Sequence, residues 1–182
     1  MYPSARKFEQ FTIQFAESEA QRRSACHLRY AVFAREMGRA LYADHRSESY
    51  SDELDAGRAH VLLARSADQD VGTLRFTLRR ETEFLDEDEL YFGEFISQHG
   101  KTAIALADRG VIVPAFRSFH LYPQMWDYGF EFLRGRGIKF VLGVIDAKDD
   151  ALVRFHERQQ WSVLAEGVLQ GERTWNLIVR EL

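Results

Sequence analysis

Residues 102–137, TAIALADRGVIVPAFRSFHLYPQMWDYGFEFLRGRG, pass from an apolar run through a proline and an arginine into a helical pattern. The apolar residues at 103–107 and 111–113 suit a buried strand, and Pro114, which has no N–H for a ladder, ends it. Leu121, Met125, Gly129 and Leu133 then recur every four residues, the spacing of one helix face. Pro123 is tolerated only within a first helical turn, so the helix is expected to begin near residues 120–122. Its first amides have no partner within the helix and face outward, ready for an anion. Strand, proline, arginine and helix start in this order make a phosphate site.

At 182 residues, 46% hydrophobic and 13% aromatic, the chain can bury one good core, and it has no interior linker rich in Pro, Ser and Gly. One domain over residues 1–182 is the expectation. A net charge of −4 and a pI near 5.9 argue against a nucleic-acid surface, which needs an excess of basic residues, and favour a small-molecule partner. Cys26 is the single cysteine, so no internal disulfide can form. No apolar stretch reaches the length of a membrane span or signal h-region, and a cytoplasmic setting is expected. The six His lack metal-ligand spacing, so no metal is expected. Gly135-Arg136-Gly137 follows a helix and reads as its stop, not as a dinucleotide loop.

Working outward, residues 8–16 alternate like a strand, and residues 17–35 carry Ala25, Leu28 and Val32 on one helical face. Residues 37–58 are polar and acidic without sustained periodicity and read as a long loop with one short helical turn, a kind of loop that is often functional. Residues 60–65 and 71–78 form a hairpin across SADQD. Residues 80–100 are acidic at their centre and read as an insertion. Beyond the motif helix, 138–145 is a strand, Asp149 or Asp150 caps a helix over 151–159, and 161–166 and 174–180 are strands joined by a turn at 170–172.

This order resembles the GNAT superfamily of N-acyltransferases over nearly the whole chain. The resemblance implies an α/β (α+β) fold with a mixed, mostly antiparallel central sheet of about six or seven strands flanked by helices. In that family the motif strand leads into a loop of the form Arg/Gln-x-x-Gly-x-Gly/Ala, whose amides hold the pyrophosphate of acyl-CoA. Residues 113–117, VPAFR, are similar to that approach, whereas RSFHLY at 117–122 carries His120 and Tyr122 where small residues stand. The resemblance implies that amides of Val111, Ile112 and Val113 pair with the donor's pantetheine arm. Its phosphate end would lie toward Arg117, Ser118, Phe119, His120, Leu121 and Tyr122. Phe155-His156 resembles the family's Phe-Tyr pair, which implies His156 as the acid that protonates the departing thiolate. Asp108, on the motif strand, is the implied base, with His60 and the Asp52/Asp55 pair as other candidates.

LRYAVFARE at 28–36 resembles the opening helix of the acyl-homoserine lactone synthases and long-chain N-acyl amino acid synthases, through the spacing Arg29-x-x-x-Phe33. Asp52 and Asp55 match their Asp-x-x-Asp pair, and Gly72-Thr73-Leu74-Arg75 their Gly-x-x-Arg strand. Of their Glu-x-x-Arg motif Arg109 is present, with Leu106 at the Glu position. The resemblance places Arg29, Phe33, Asp52, Asp55, Arg75 and Arg109 on the acceptor side, where guanidinium groups would grip a carboxylate. It implies an acyltransferase that takes acyl-CoA or an acyl-carrier protein as donor and a small amine, such as an amino acid, as acceptor. The altered loop and the Phe-His pair leave open a degenerate member that binds a thioester or a partner protein without turnover.

Overall fold

The computed structural model describes residues 2–8, 10–117, 120–170 and 173–182. In chain order its elements are β1 (Arg6–Lys7), β2 (Thr12–Phe15), α1 (Glu19–Arg29) continuing into a π-helical segment (Tyr30–Glu36), β3 (Ala43–Asp44) and β4 (Ser49–Tyr50). Then follow β5 (His60–Ser66), β6 (Gln69–Leu78), α2 (Asp86–His99), β7 (Ile104–Ile112), α3 (Leu121–Gly135), β8 (Phe140–Asp146), α4 (Asp150–Arg158), β9 (Ser162–Gln170) and β10 (Arg173–Glu181). Eight strands form one sheet in the order β1-β2-β5-β6-β7-β8-β10-β9, while β3 and β4 pair apart from it. The sheet is mixed, mostly antiparallel and flanked by helices, with eight strands in place of six or seven. The additional strand is β1, whose two residues are too few to show alternation in a sequence. Among the described residues no helix is long and apolar enough to cross a membrane.

The chain folds as two compact units, Met1–Thr77 with Arg109–Phe132 and Leu78–Asp108 with Leu133–Leu182. In the first, a reciprocal cap starts α1: Gln21 N–H donates to Ser18 Oγ at 3.2 Å, and Ser18 N–H to Gln21 Oε1 at 3.0 Å. β2, β5 and β6 pair antiparallel in registers such as Ile13↔Ala64 and Val61↔Arg75. α3 buries Leu121 and Met125 completely, and Trp126, Phe130 and Phe132 are core residues as well.

Helix and sheet approach closely because glycine stands on both sides. A Cβ at Gly72 would lie 2.9 Å from Met125 Sδ, and one at Gly129 would lie 2.3 Å from Phe76 Cζ. Gly129→Ala therefore forces the Phe76 ring out of its place. Overpacking of that kind costs about 1–3 kcal/mol, more than the roughly 1 kcal/mol that alanine gains in a helix. Urea unfolding should show a net loss; equal or greater stability would mean that Phe76 turns aside freely.

In the second unit β7 pairs parallel with β8 from Ile104↔Phe140 to Ala107↔Gly143, and β10 pairs antiparallel with both β8 and β9. Phe92 and Ile96 of α2, with Phe84, pack on Ile104, Leu106, Leu142 and Leu177. The reading of residues 80–100 as an acidic insertion is thus corrected to a 14-residue helix. Four acidic residues in its first turn complement the positive end of the helix dipole, so the acidity that hid the helix helps to start it. Asp149 caps α4 by accepting from Leu152 N–H at 3.0 Å. Of the turn expected at 170–172, Gly171 and Glu172 lie outside the described residues.

Candidate active site

In the first unit the polar loop after α1 folds onto the sheet through two carboxylates. Asp52 caps the short 3-10 turn Glu53–Asp55 by accepting from Leu54 N–H at 3.0 Å, and Asp55 Oδ2 accepts from Asp52 N–H at 3.1 Å. The same carboxylates hold three arginines from three elements. Arg29 Nη1, at the end of α1, donates to Asp55 Oδ1 at 2.6 Å. Arg75 Nη1, from β6, reaches Asp52 Oδ1 at 2.5 Å and Asp55 Oδ2 at 3.1 Å. Arg109 Nη2, from β7, donates to Asp52 Oδ2 at 2.7 Å. Five of the acceptor-side residues expected from the sequence are thereby one ionic network.

Burial separates their roles. Arg29 and Arg75 are fully buried, whereas the Arg109 side chain is 14% exposed. Its guanidinium lies over the Tyr42 ring at 4.2 Å and the Tyr50 ring at 5.4 Å from their centroids, a cation–π seat. Arg109 has φ +55°, a left-handed value inside a strand, and such a residue costs about 1–3 kcal/mol where surroundings enforce it. Phe33, the sixth of these residues, is buried 5.0 Å from the Tyr50 ring in a cluster with Leu28, Tyr30, Val32 and Val111. Tyr42 and Tyr50 were not singled out from the sequence; their signal is two tyrosines flanking the turn of a polar loop, which is weak.

Burial alone would raise the pKa of Asp52, but hydrogen bonding and charge from Arg75, then from Arg109, outweigh it and hold the carboxyl well below the usual range. Asp55 is likewise raised by burial and lowered more by Arg29 and Arg75. Carboxylates held by arginine in this way are weakened as proton acceptors. His60 is engaged too, its Nδ1 lying 2.7 Å from the Tyr2 hydroxyl.

On the motif strand Val111 and Ile112 are buried and Val113 is half-buried. Val113 N–H donates to Val71 O at 3.0 Å, so this amide is used in the sheet. Strand alternation turns the Val111 amide to the same side and leaves that of Ile112 pointing away from β6. Of the three amides expected to meet a donor, Ile112 alone points away from that partner strand. Arg117 Nε donates to Ile112 O at 3.0 Å, and its Nη1 and Nη2 donate to Glu36 Oε1 and Oε2, each at 2.7 Å. Ser118 and Phe119 lie outside the described residues. His120 is exposed with φ +53°, and Leu121, which begins α3, is a core residue with no exposed surface. The Tyr122 hydroxyl rests against Gly110, and burial pushes its pKa up to about 12 although a hydrogen bond with Trp126 acts the other way.

Asp108 and His156 belong to the second unit. Asp108 is half-buried on β7, just before Arg109. His156 is buried on α4, with Nδ1 2.8 Å from Leu152 O and its ring edge-on to Trp161 at 5.3 Å. A carbonyl only accepts, so Nδ1 carries the proton. Burial lowers the pKa of the ring from its ordinary 6.5 more than the bond to Leu152 raises it.

Residues 28–127 match the family model for the acetyltransferase (GNAT) domain. Among solved structures, FeeM, an N-acyl amino acid synthase from uncultured soil microbes, superposes with a TM-score of 0.72 at 13% identity, over 98% of this chain and 91% of that one. The acyl-homoserine lactone synthase LasI gives 0.71 at 15% identity, over 94% and 89% of the two chains. BjaI, a CoA-dependent acyl-homoserine lactone synthase with SAM and isopentyl-CoA, gives 0.68 at 17% identity, over 90% and 77%. No curated protein sequence matches the chain. At these identities the superpositions speak for the fold; the family model, which spans more than half of the sequence and takes in both the Asp52 network and the motif strand, shows that the chain belongs to the GNAT family of acetyltransferases.

Proposed function

We propose that the protein is an N-acyltransferase that moves an acyl group from a CoA or acyl-carrier-protein thioester to the amine of a small carboxylate-bearing acceptor such as an amino acid. The observation that carries this reading is Arg109: a guanidinium partly exposed above Tyr42 and Tyr50 and held from behind by Asp52. A planar, permanently charged donor so fixed is suited to an acceptor carboxylate. Arg29 and Arg75, fully buried, act behind it by setting the position of Asp52 and Asp55. FeeM's description as an N-acyl amino acid synthase and BjaI's as CoA-dependent support the same acceptor and donor classes.

In the reaction the acceptor nitrogen attacks the thioester carbonyl carbon, a C–N bond forms and the C–S bond breaks. The ammonium proton passes to Asp108, and the departing thiolate takes one from His156. The donor lies along Val111, Ile112 and Val113, with the Ile112 amide as its strand partner and its phosphate end toward residues 117–122. The test is thiol release by the purified protein from a panel of acyl-CoAs and loaded carrier proteins, with mixed amines and amino acids. Binding of a thioester without thiol release for any pair would favour a non-catalytic binder.

Arg117→Ala should raise the donor KM with little change in kcat, because a phosphate contact is made equally in ground and transition states. Unchanged KM values for every donor would show that the phosphate end lies elsewhere.

A further inference from the structure

The guanidinium expected to meet the donor phosphate is already held. Nε of Arg117 is anchored on Ile112 O at 3.0 Å, and Nη1 and Nη2 grip both oxygens of Glu36 at 2.7 Å. Glu36 is the last residue of the π-helical segment Tyr30–Glu36, so its position is set by a wide turn of helix instead of a free loop. The side chains are 42% and 36% exposed, open enough for a ligand to reach. An exposed pair adds little to stability, but a bidentate pair fixed at a third point has defined geometry and neutralises the cation locally.

A phosphate approaching Arg117 therefore meets a neutralised guanidinium and comes within a few ångströms of a carboxylate. The repulsion scales with the charge the ligand brings. Coenzyme A brings a diphosphate and a further phosphomonoester, whereas pantetheine on a carrier protein brings one singly charged phosphodiester. Resting on the acyl-thioester reading above, we propose that Glu36 is a specificity-determining residue that disfavours CoA-borne donors and leaves carrier-borne phosphopantetheine as the preferred donor.

The test is calorimetric binding of CoA and of phosphate-free pantetheine to the full chain and to Glu36→Gln. We expect Glu36→Gln to bind CoA about tenfold more tightly, the effect of removing one like charge at short range, with pantetheine unchanged. The gain should shrink as salt is raised and vanish in Glu36→Gln/Arg117→Ala. Equal CoA affinity in the two proteins, an equal gain for pantetheine, or no CoA binding by Glu36→Gln would overturn the inference. Thiol release measured on the same proteins separates the two claims. Tighter CoA binding without any turnover would sink the acyl-transfer reading and leave Glu36's role standing. Turnover with an unchanged preference between acyl-CoA and acyl-pantetheine would do the reverse.

Discussion

Asp52→Asn is expected to destabilise the protein by about 3–5 kcal/mol, the usual consequence of removing one partner from a buried ion pair. One carboxylate, 4% exposed, accepts from Arg75, Arg109 and the Leu54 amide, so its neutralisation takes a buried counter-charge from two guanidinium groups, leaves Asp55 to balance Arg75, and weakens the cap of the 3-10 turn. Urea unfolding should show a midpoint lower by more than about 1 M with little change in slope. Asp52→Asn/Arg75→Met should recover part of the loss, because the second change removes a buried guanidinium that has lost one of its two carboxylates. A single-variant loss below about 1 kcal/mol would mean that water reaches the network and replaces the carboxylate.

The same network sets a pH dependence. Both carboxyls titrate below their ordinary 3.8, so their stabilisation is fully present above that value and is lost as pH falls through the lower native values. In that range Asp52→Asn should have a flatter profile than the parent protein.

The motif helix was legible because its spacing is local: Leu121, Met125, Gly129 and Leu133 lie one turn apart, and burial of that face needs only a sheet to cover it. Asp52 and Asp55 were legible as a pair only through their match to the synthases' Asp-x-x-Asp spacing, and the structure adds that this spacing lets the two carboxylates cap one short turn reciprocally. α2 was not, because the residues Asp88, Phe92 and Ile96 on its buried side include an aspartate and an acidic run masks the apolar spacing. Nor could the sequence separate Arg109 from Arg29 and Arg75. All three are arginines at motif positions, and their difference in exposure arises only when distant strands come together. The Glu36–Arg117 pair spans 81 residues, a separation at which a single sequence carries no signal of contact.

His156→Phe should lower turnover by roughly 10²-fold or more if the imidazolium protonates the departing thiolate, since a positioned general acid contributes about 10²–10⁴. Burial lowers the ring's pKa below 6.5, and the bond from Nδ1–H to Leu152 O leaves Nε2 as the nitrogen that can take up and release a proton. At neutral pH the ring is mostly uncharged, so an acid role requires the protonated fraction and the rate must fall as pH rises through the lowered pKa. Asp108, acting as base, accepts the ammonium proton in the same reaction. His156→Phe should remove the decline toward alkaline pH, and Asp108→Asn should lower turnover by a similar factor. The stability of His156 variants moves independently of this. A buried neutral histidine favours the folded state above its ordinary pKa of 6.5, and that contribution declines as pH falls through the native value, so His156→Phe should resist mild acid better than the parent. Acid resistance without a change in rate or profile would identify His156 as a packing residue against Trp161, with the thiolate then protonated by solvent.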